Sequence, residues 1–226
     1  MSVLVVIGSR RPKSNTAAIA LGLASRLEST GRSVDLWRVP GWSAGAEAVE
    51  EALEKLSTAQ TVVLVAPSYL DELPAVTQRL LEDVWERRAE LRGRAPLFYG
   101  VAHSGFPEPV QRCAELRSMR FFAEQMGWRW MGGVGFGGTS PIDGRPLEEA
   151  GMFSKQLRRV LPVAAADICA GRAFSLETLH LADKSPLPLP RGALIALVNW
   201  RTRKAAREQG LDLDAPVYAE HGDPPR

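Results

Sequence analysis

Val3-Leu4-Val5-Val6-Ile7-Gly8-Ser9-Arg10-Arg11-Pro12-Lys13-Ser14-Asn15-Thr16 stands almost at the start of the chain. Its first five residues are aliphatic and mostly β-branched, the pattern of a strand covered on both faces, and Gly8 stops the run. A polar loop follows, Ser9 to Asn15. From Thr16 to Glu28, Ile19, Leu23 and Leu27 recur every four positions beside Ala20 and Ala24, so one face of a helix is apolar, and Gly31 closes it. Strand, polar loop and helix make the unit from which parallel sheets are built, because a parallel neighbour is reached only through a crossover.

The unit repeats in structure without repeating in sequence. Ser33–Val39, Thr61–Ala66 up to Pro67, Pro96–His103 and Trp128–Phe136 read as four further strands. Between and after them, helices are expected over Ala44–Ser57, along Leu73, Val76, Leu80 and Val84, over Glu108–Met126 with Phe121 and Phe122 inward, and along Phe153, Leu157, Leu161, Ala164 and Ile168. The expected fold is α/β: a doubly wound, five-stranded parallel sheet with helices on both faces, over residues 1–171. Residues 172–226 read as an appendage. Ala173–Pro190, with Pro186, Pro188 and Pro190, is expected to be irregular, followed by one helix, Arg191–Gln209, and a polar, poorly ordered tail from Asp212.

The 226 residues are 45% hydrophobic and 24% charged, enough to bury a core without disulfides or metal. A net charge of +2 is too small for a nucleic-acid footprint, so no nucleic-acid partner is expected. Cys113 and Cys169 are the only cysteines, read as buried hydrophobes, and their scarcity fits a reducing cytoplasm. His180 and His221 have no cysteine or carboxylate at ligand spacing, so no metal site is expected. The amino-terminal segment lacks the basic flank of a signal peptide. Ala193–Val198, the longest later apolar run, is far shorter than the roughly 20 residues of a membrane span. In the final helix Leu194, Ile195, Leu197, Val198 and Trp200 must cover either the chain's own sheet layer or a second subunit, and a homodimer contact is the expected use.

In such sheets ligands bind beyond the carboxyl ends of the strands. The loop Gly8–Thr16 places hydroxyls, an amide and three cations before a helix N-terminus, which suits a phosphate. The same residues also suit a plain N-cap. Neither GxGxxG nor the P-loop pattern is present. The glycine-dense Gly132–Thr139 reads either as a border of the site or as a tight strand end.

Gly8–Thr16 resembles the G-S-x-R-x-x-S-N-T phosphate loop of the flavodoxin-like FMN reductases, which include quinone, azo-compound and flavin reductases. Ala66-Pro67-Ser68-Tyr69-Leu70 is similar to that family's P-x-Y loop, and Leu73-Pro74-Ala75-Val76 to the turn that starts its third helix. The resemblance implies a flavodoxin-like fold and bound FMN. By it, Ser9, Arg11, Ser14, Asn15 and Thr16 hold the phosphate, Pro67, Ser68, Tyr69 and Leu70 lie along the isoalloxazine, and Ser104, Gly105 and Phe106 meet its pyrimidine edge. The sequence departs from the family at His103-Ser104-Gly105-Phe106-Pro107-Glu108, where a glycine-rich loop is usual, and at Leu70, where Trp or Asn is common. The implied activity is transfer of electrons from NADPH or NADH through FMN to a quinone, azo, nitro or similar acceptor. No catalytic side chain is required of the protein; His103 is read either as a donor to a flavin or quinone oxygen or as structure. A flavodoxin-type electron carrier and a flavin-free scaffold are the alternative readings.

Overall fold

The aliphatic runs pair as their patterning requires. In the computed structural model, which describes residues 2–41, 45–184 and 191–215, five strands form one parallel sheet: β1 (Ser2–Ile7), β2 (Ser33–Arg38), β3 (Thr61–Pro67), β4 (Leu97–His103) and β5 (Arg129–Phe136). Helices α1 (Asn15–Glu28), α2 (Gly45–Thr58), α3 (Ala75–Glu86), α4 (Cys113–Gln125) and α5 (Lys155–Cys169) follow the strands in turn. The strand order is β2-β1-β3-β4-β5. It reverses between β1 and β3, which is the flavodoxin-like doubly wound arrangement and opens a crevice at the carboxyl ends of those two strands.

Alternation along β1 divides the core in two. Val3, Val5 and Ile7 pack with Ile19, Leu23 and Leu27 of α1 and Leu157, Leu161 and Ile168 of α5. Leu4 and Val6 pack on the other side with Leu53 of α2, Leu80 and Val84 of α3 and Phe122 of α4. Every residue of β3 is buried, whereas β2, at the edge, exposes Ser33, Asp35 and Leu36. Phe121 is corrected: adjacent helical residues point about 100° apart, so Phe122 is buried and Phe121 exposed. Cys113, read as a buried hydrophobe, is exposed in the first turn of α4, while Cys169 is half-buried with its Sγ 2.9 Å from Thr30 Oγ1.

The stretch after α5 is not all irregular. A helix, α6 (Leu176–Asp183), lies within it, capped by Ser175, whose hydroxyl accepts from the Thr178 N–H. Helix formation succeeds because α6 ends before Pro186, Pro188 and Pro190, which fall outside the described residues. Asp167 of α5 is buried and accepts from Arg172, the Ser175 N–H and hydroxyl and the Thr178 hydroxyl. Phe174 packs on Tyr99 at 5.1 Å between ring centres, and Tyr99 donates to the Arg172 carbonyl. By its contacts the chain divides into two compact units, 1–186 and 187–226. The second unit, 187–226, holds α7 (Arg191–Glu208), on which Ile195, Leu197, Val198 and Trp200 are exposed and Arg203 pairs with Asp214 at 3.0 Å. Of the tail expected from Asp212, residues 216–226 lie outside the described residues.

Candidate functional site

Four strand-end loops meet at a cavity of about 450 Å³, those after β1, β3, β4 and β5. The β1 loop leaves the sheet at Gly8, whose N–H donates to the Val65 carbonyl at 2.7 Å and whose carbonyl accepts from Thr77. A Cβ at Gly8 would fall 2.8 Å from Ala66 Cβ, so the loop can start this close to β3 only with glycine. Arg38, at the end of β2, then clamps it, donating to the carbonyls of Ser9, Arg11 and Pro12. That residue was not singled out from the sequence.

Ser14 is the N-cap of α1, its hydroxyl accepting from the Ala17 N–H at 3.2 Å. Asn15 uses both ends of its amide as a strut to the β5 loop: Nδ2 donates to the Thr139 carbonyl at 2.9 Å, and Oδ1 accepts from the Gly144 N–H at 2.7 Å. Thr16 Oγ1 is 2.9 Å from His103 Nε2, and His103 Nδ1 is 3.1 Å from Thr139 Oγ1. The Thr139 hydroxyl donates to the Ser104 carbonyl, so toward His103 it can only accept, and the imidazole proton sits on Nδ1. Thr16 therefore donates to Nε2. Burial, and next the nearby Arg112, hold His103 far below its ordinary range, at about 3, so it stays neutral and this tautomer persists.

Arg11, Ser14, Asn15, Thr16, Pro67, Ser68, Tyr69, Ser104 and Gly105 all line the cavity, with Lys13, His103, Thr139, Ser140, Asp143 and Gly144 beside them. Ser9 does not line it, nor do the exposed Leu70 and Phe106. Of the residues expected at the pyrimidine edge, Ser104 has its N–H committed to the Phe136 carbonyl, while Gly105 lines the cavity. From the glycine-dense run only Thr139 reaches the lining. Ser140, Asp143 and Gly144 lie beyond any motif; their one signal was their place after a strand end.

The β3 loop turns sharply. Tyr69 and Glu72 exchange backbone hydrogen bonds of 2.9 and 3.2 Å, and both residues between them have positive φ, 52° at Leu70 and 62° at Asp71. A type I′ turn of this kind prefers Asn-Gly, and a leucine there is strained by roughly 1 kcal/mol or more. Leu70→Asn is therefore expected to raise stability by about 0.5–1 kcal/mol, read as a higher urea midpoint with unchanged slope.

Residues 1–114 match the family described as NADPH-dependent FMN reductase. The chain belongs to that family. It is thus an NAD(P)H-dependent flavin oxidoreductase by descent, and the loops after β1 and β3 fall within the matched half. The search of curated proteins found no match. Among solved structures, an NADH:FMN oxidoreductase, EMOB, in its apo form is 18% identical, covering 82% of this chain and 97% of its own, with a TM-score of 0.55. An NAD(P)H:quinone oxidoreductase from Methanothermobacter marburgensis is 16% identical over 73% of this chain and 96% of its own, at 0.53. A flavodoxin, WrbA-like protein from Agrobacterium tumefaciens is 14% identical over 77% and 98%, at 0.52. At these identities the likeness is one of fold, and this reductase family member shares the flavodoxin-like sheet with all three. Among the described residues no helix is long and apolar enough to cross a membrane.

Proposed function

We propose that the cavity binds FMN and that the protein passes electrons from NADPH or NADH to a quinone, azo, nitro or similar small acceptor. The observation that supports this reading is the convergence of four strand-end loops on one polar cavity at the N-terminus of α1. The fit is chemical. Helix α1 begins at Asn15; the N–H of Ala17 is capped by Ser14, while the N–H groups of Asn15 and Thr16 have no helical carbonyl to bond. With the Ser14 hydroxyl and the cations of Arg11 and Lys13, they would hold a phosphate. Asn15 and Thr16 would serve it indirectly, since their side chains are spent fixing the loop to β4 and β5. Pro67, Ser68 and the exposed ring of Tyr69 would form the wall along the isoalloxazine, and Gly105 would face its polar edge. Bound FMN supplies the hydride chemistry; the protein supplies position, a dry wall and charge. Ser9, Leu70 and Phe106 enter this reading only as supports or rim of the cavity.

The same reading makes the protein a cytoplasmic homodimer. Its support is the exposed Ile195, Leu197, Val198 and Trp200 of α7 and the unpaired cysteines.

The test is an anaerobic visible titration with FMN, followed by stoichiometric NADPH and then NADH. Saturable binding and rapid bleaching of the flavin band are expected. Bound flavin that neither nicotinamide bleaches would mark an electron carrier, and absence of binding would leave a scaffold. Replacing both cations, Arg11→Ala with Lys13→Ala, is expected to weaken FMN at least about tenfold and to flatten the salt dependence of its affinity.

A further inference from the structure

Glu115 lies in the first turn of α4 with no exposed surface, and neither carboxyl oxygen has a hydrogen-bond partner. Its surroundings do not neutralise a charge there. Arg112, three residues earlier, commits one guanidinium nitrogen to Ser104 Oγ and to the carbonyls of Phe106 and Glu108, while its Nε has no partner. From the β3 loop faces Glu72, its carboxylate held by the Leu73 N–H and the Ser118 hydroxyl. The remaining group is Ser68, which lines the cavity and whose hydroxyl is tied to the turn that precedes Glu115. In the structure that hydroxyl donates to the Gln111 carbonyl at 2.7 Å, leaving its lone pairs free to accept.

We propose that Glu115 is the proton store of the candidate site, passing its proton through the Ser68 hydroxyl to a ligand in the cavity that becomes basic on two-electron reduction. The inference rests on the flavin reading given above, with the electrons drawn from a nicotinamide. The balance is simple. The Glu115 O–H bond breaks as Ser68 Oγ gains that proton, and the original Ser68 O–H bond breaks as the ligand atom takes the other. Ser68, having turned its own proton from the Gln111 carbonyl to the ligand, is left donating to the carboxylate, which recovers its proton through the same hydroxyl when the ligand is reoxidised. Burial, and next the charge of Glu72, raise the Glu115 carboxyl to about 9, against smaller opposing effects of Ser68 and Arg112, so it holds its proton at neutral pH. Glu115 is a positioning group, since Ser68 alone of the pair reaches the cavity.

Two readouts besides turnover test it. The FMN-loaded protein is reduced anaerobically with dithionite in weak buffer containing a pH indicator, near neutral pH. Wild type is expected to draw about one proton fewer per flavin from solvent than Glu115→Gln, because the store supplies it. In parallel, infrared difference spectra should show a protonated-carboxyl C=O band in the ligand-free protein. That band should be absent from Glu115→Gln and lost on reduction of wild type. Ser68→Ala should keep the band in both states, since the acid remains and the relay is cut. Equal proton uptake in wild type and Glu115→Gln, or a band unmoved by reduction of wild type, overturns the proposal while leaving flavin binding in place. Failure of wild type to bind FMN overturns both readings together.

Discussion

Asp167→Ala is expected to destabilise the protein by about 3 kcal/mol, a fall of roughly 10 °C in melting temperature for a chain of this size. The carboxylate is buried and accepts from four donors, at 2.7 Å from Arg172 Nε, 2.9 and 2.8 Å from the Ser175 N–H and hydroxyl, and 2.6 Å from Thr178. Arg172 is exposed enough to return to water, but the Thr178 hydroxyl is not. Burial raises this carboxyl, yet the hydrogen bonds from Thr178, Ser175 and Arg172 outweigh it and leave it below its ordinary range. The sign follows: a depressed folded value contributes stability above the unfolded value of about 3.9, lost as pH falls through the lower folded value. In Asp167→Ala that acid limb should vanish from a plot of unfolding free energy against pH. FMN affinity of the folded variant should be unchanged, because this cluster sits with Tyr99 and Phe174, away from the cavity lining. A weakened FMN complex would show that α6 supports the site itself.

The difference between Asp167 and Asn15 shows what the sequence holds and what it does not. Val3 to Ile7 announce a buried strand by themselves, and five such runs with intervening helices dictate a parallel sheet, so the crevice at the strand ends was legible before any coordinate. The motif at Gly8–Thr16 points to a loop whose residues line the cavity. It did not give the direction of each side chain, because the partners of Asn15 are 124 and 129 residues away, in a loop with no motif. Thr16 and His103 are 87 residues apart for the same reason. Arg38 escaped notice because a strand-terminal arginine has no local signature; its clamp exists only once β2 lies beside β1. Helix α6 was hidden by prolines that fall after it. Two carboxylates break the apolar period of their helices. Glu115 shares a helical stripe with Met119 and Phe122, and Asp167 follows Ala164 on the buried face of α5, so each placed a carboxylate where the period demanded an apolar residue.

That misplaced carboxylate in α4 carries the other large effect, and it has the opposite sign. Glu115→Gln is expected to stabilise the protein by about 4 kcal/mol at pH 7. An unfolded glutamate titrates near 4.3, whereas burial and the neighbouring Glu72 raise the folded group to about 9. A raised folded value means that stability is fully present below the unfolded value and is lost as pH rises toward the folded one. The loss is about 1.4 kcal/mol per pH unit between those limits. Glutamine has the shape of the protonated acid but nothing to titrate, so the two proteins should be nearly equal in stability near pH 4. They should diverge steadily to about pH 9, as urea unfolding at a series of pH values would show. Parallel curves would mean that Glu115 is already ionised in the folded state, with a partner that its burial among Ser68, Glu72 and Arg112 does not reveal. Diverging curves would show a protein that keeps a destabilising acid behind the wall of its cavity. A glutamine or methionine there would be more stable, so retention of the acid is what a proton-handling role for Glu115 requires.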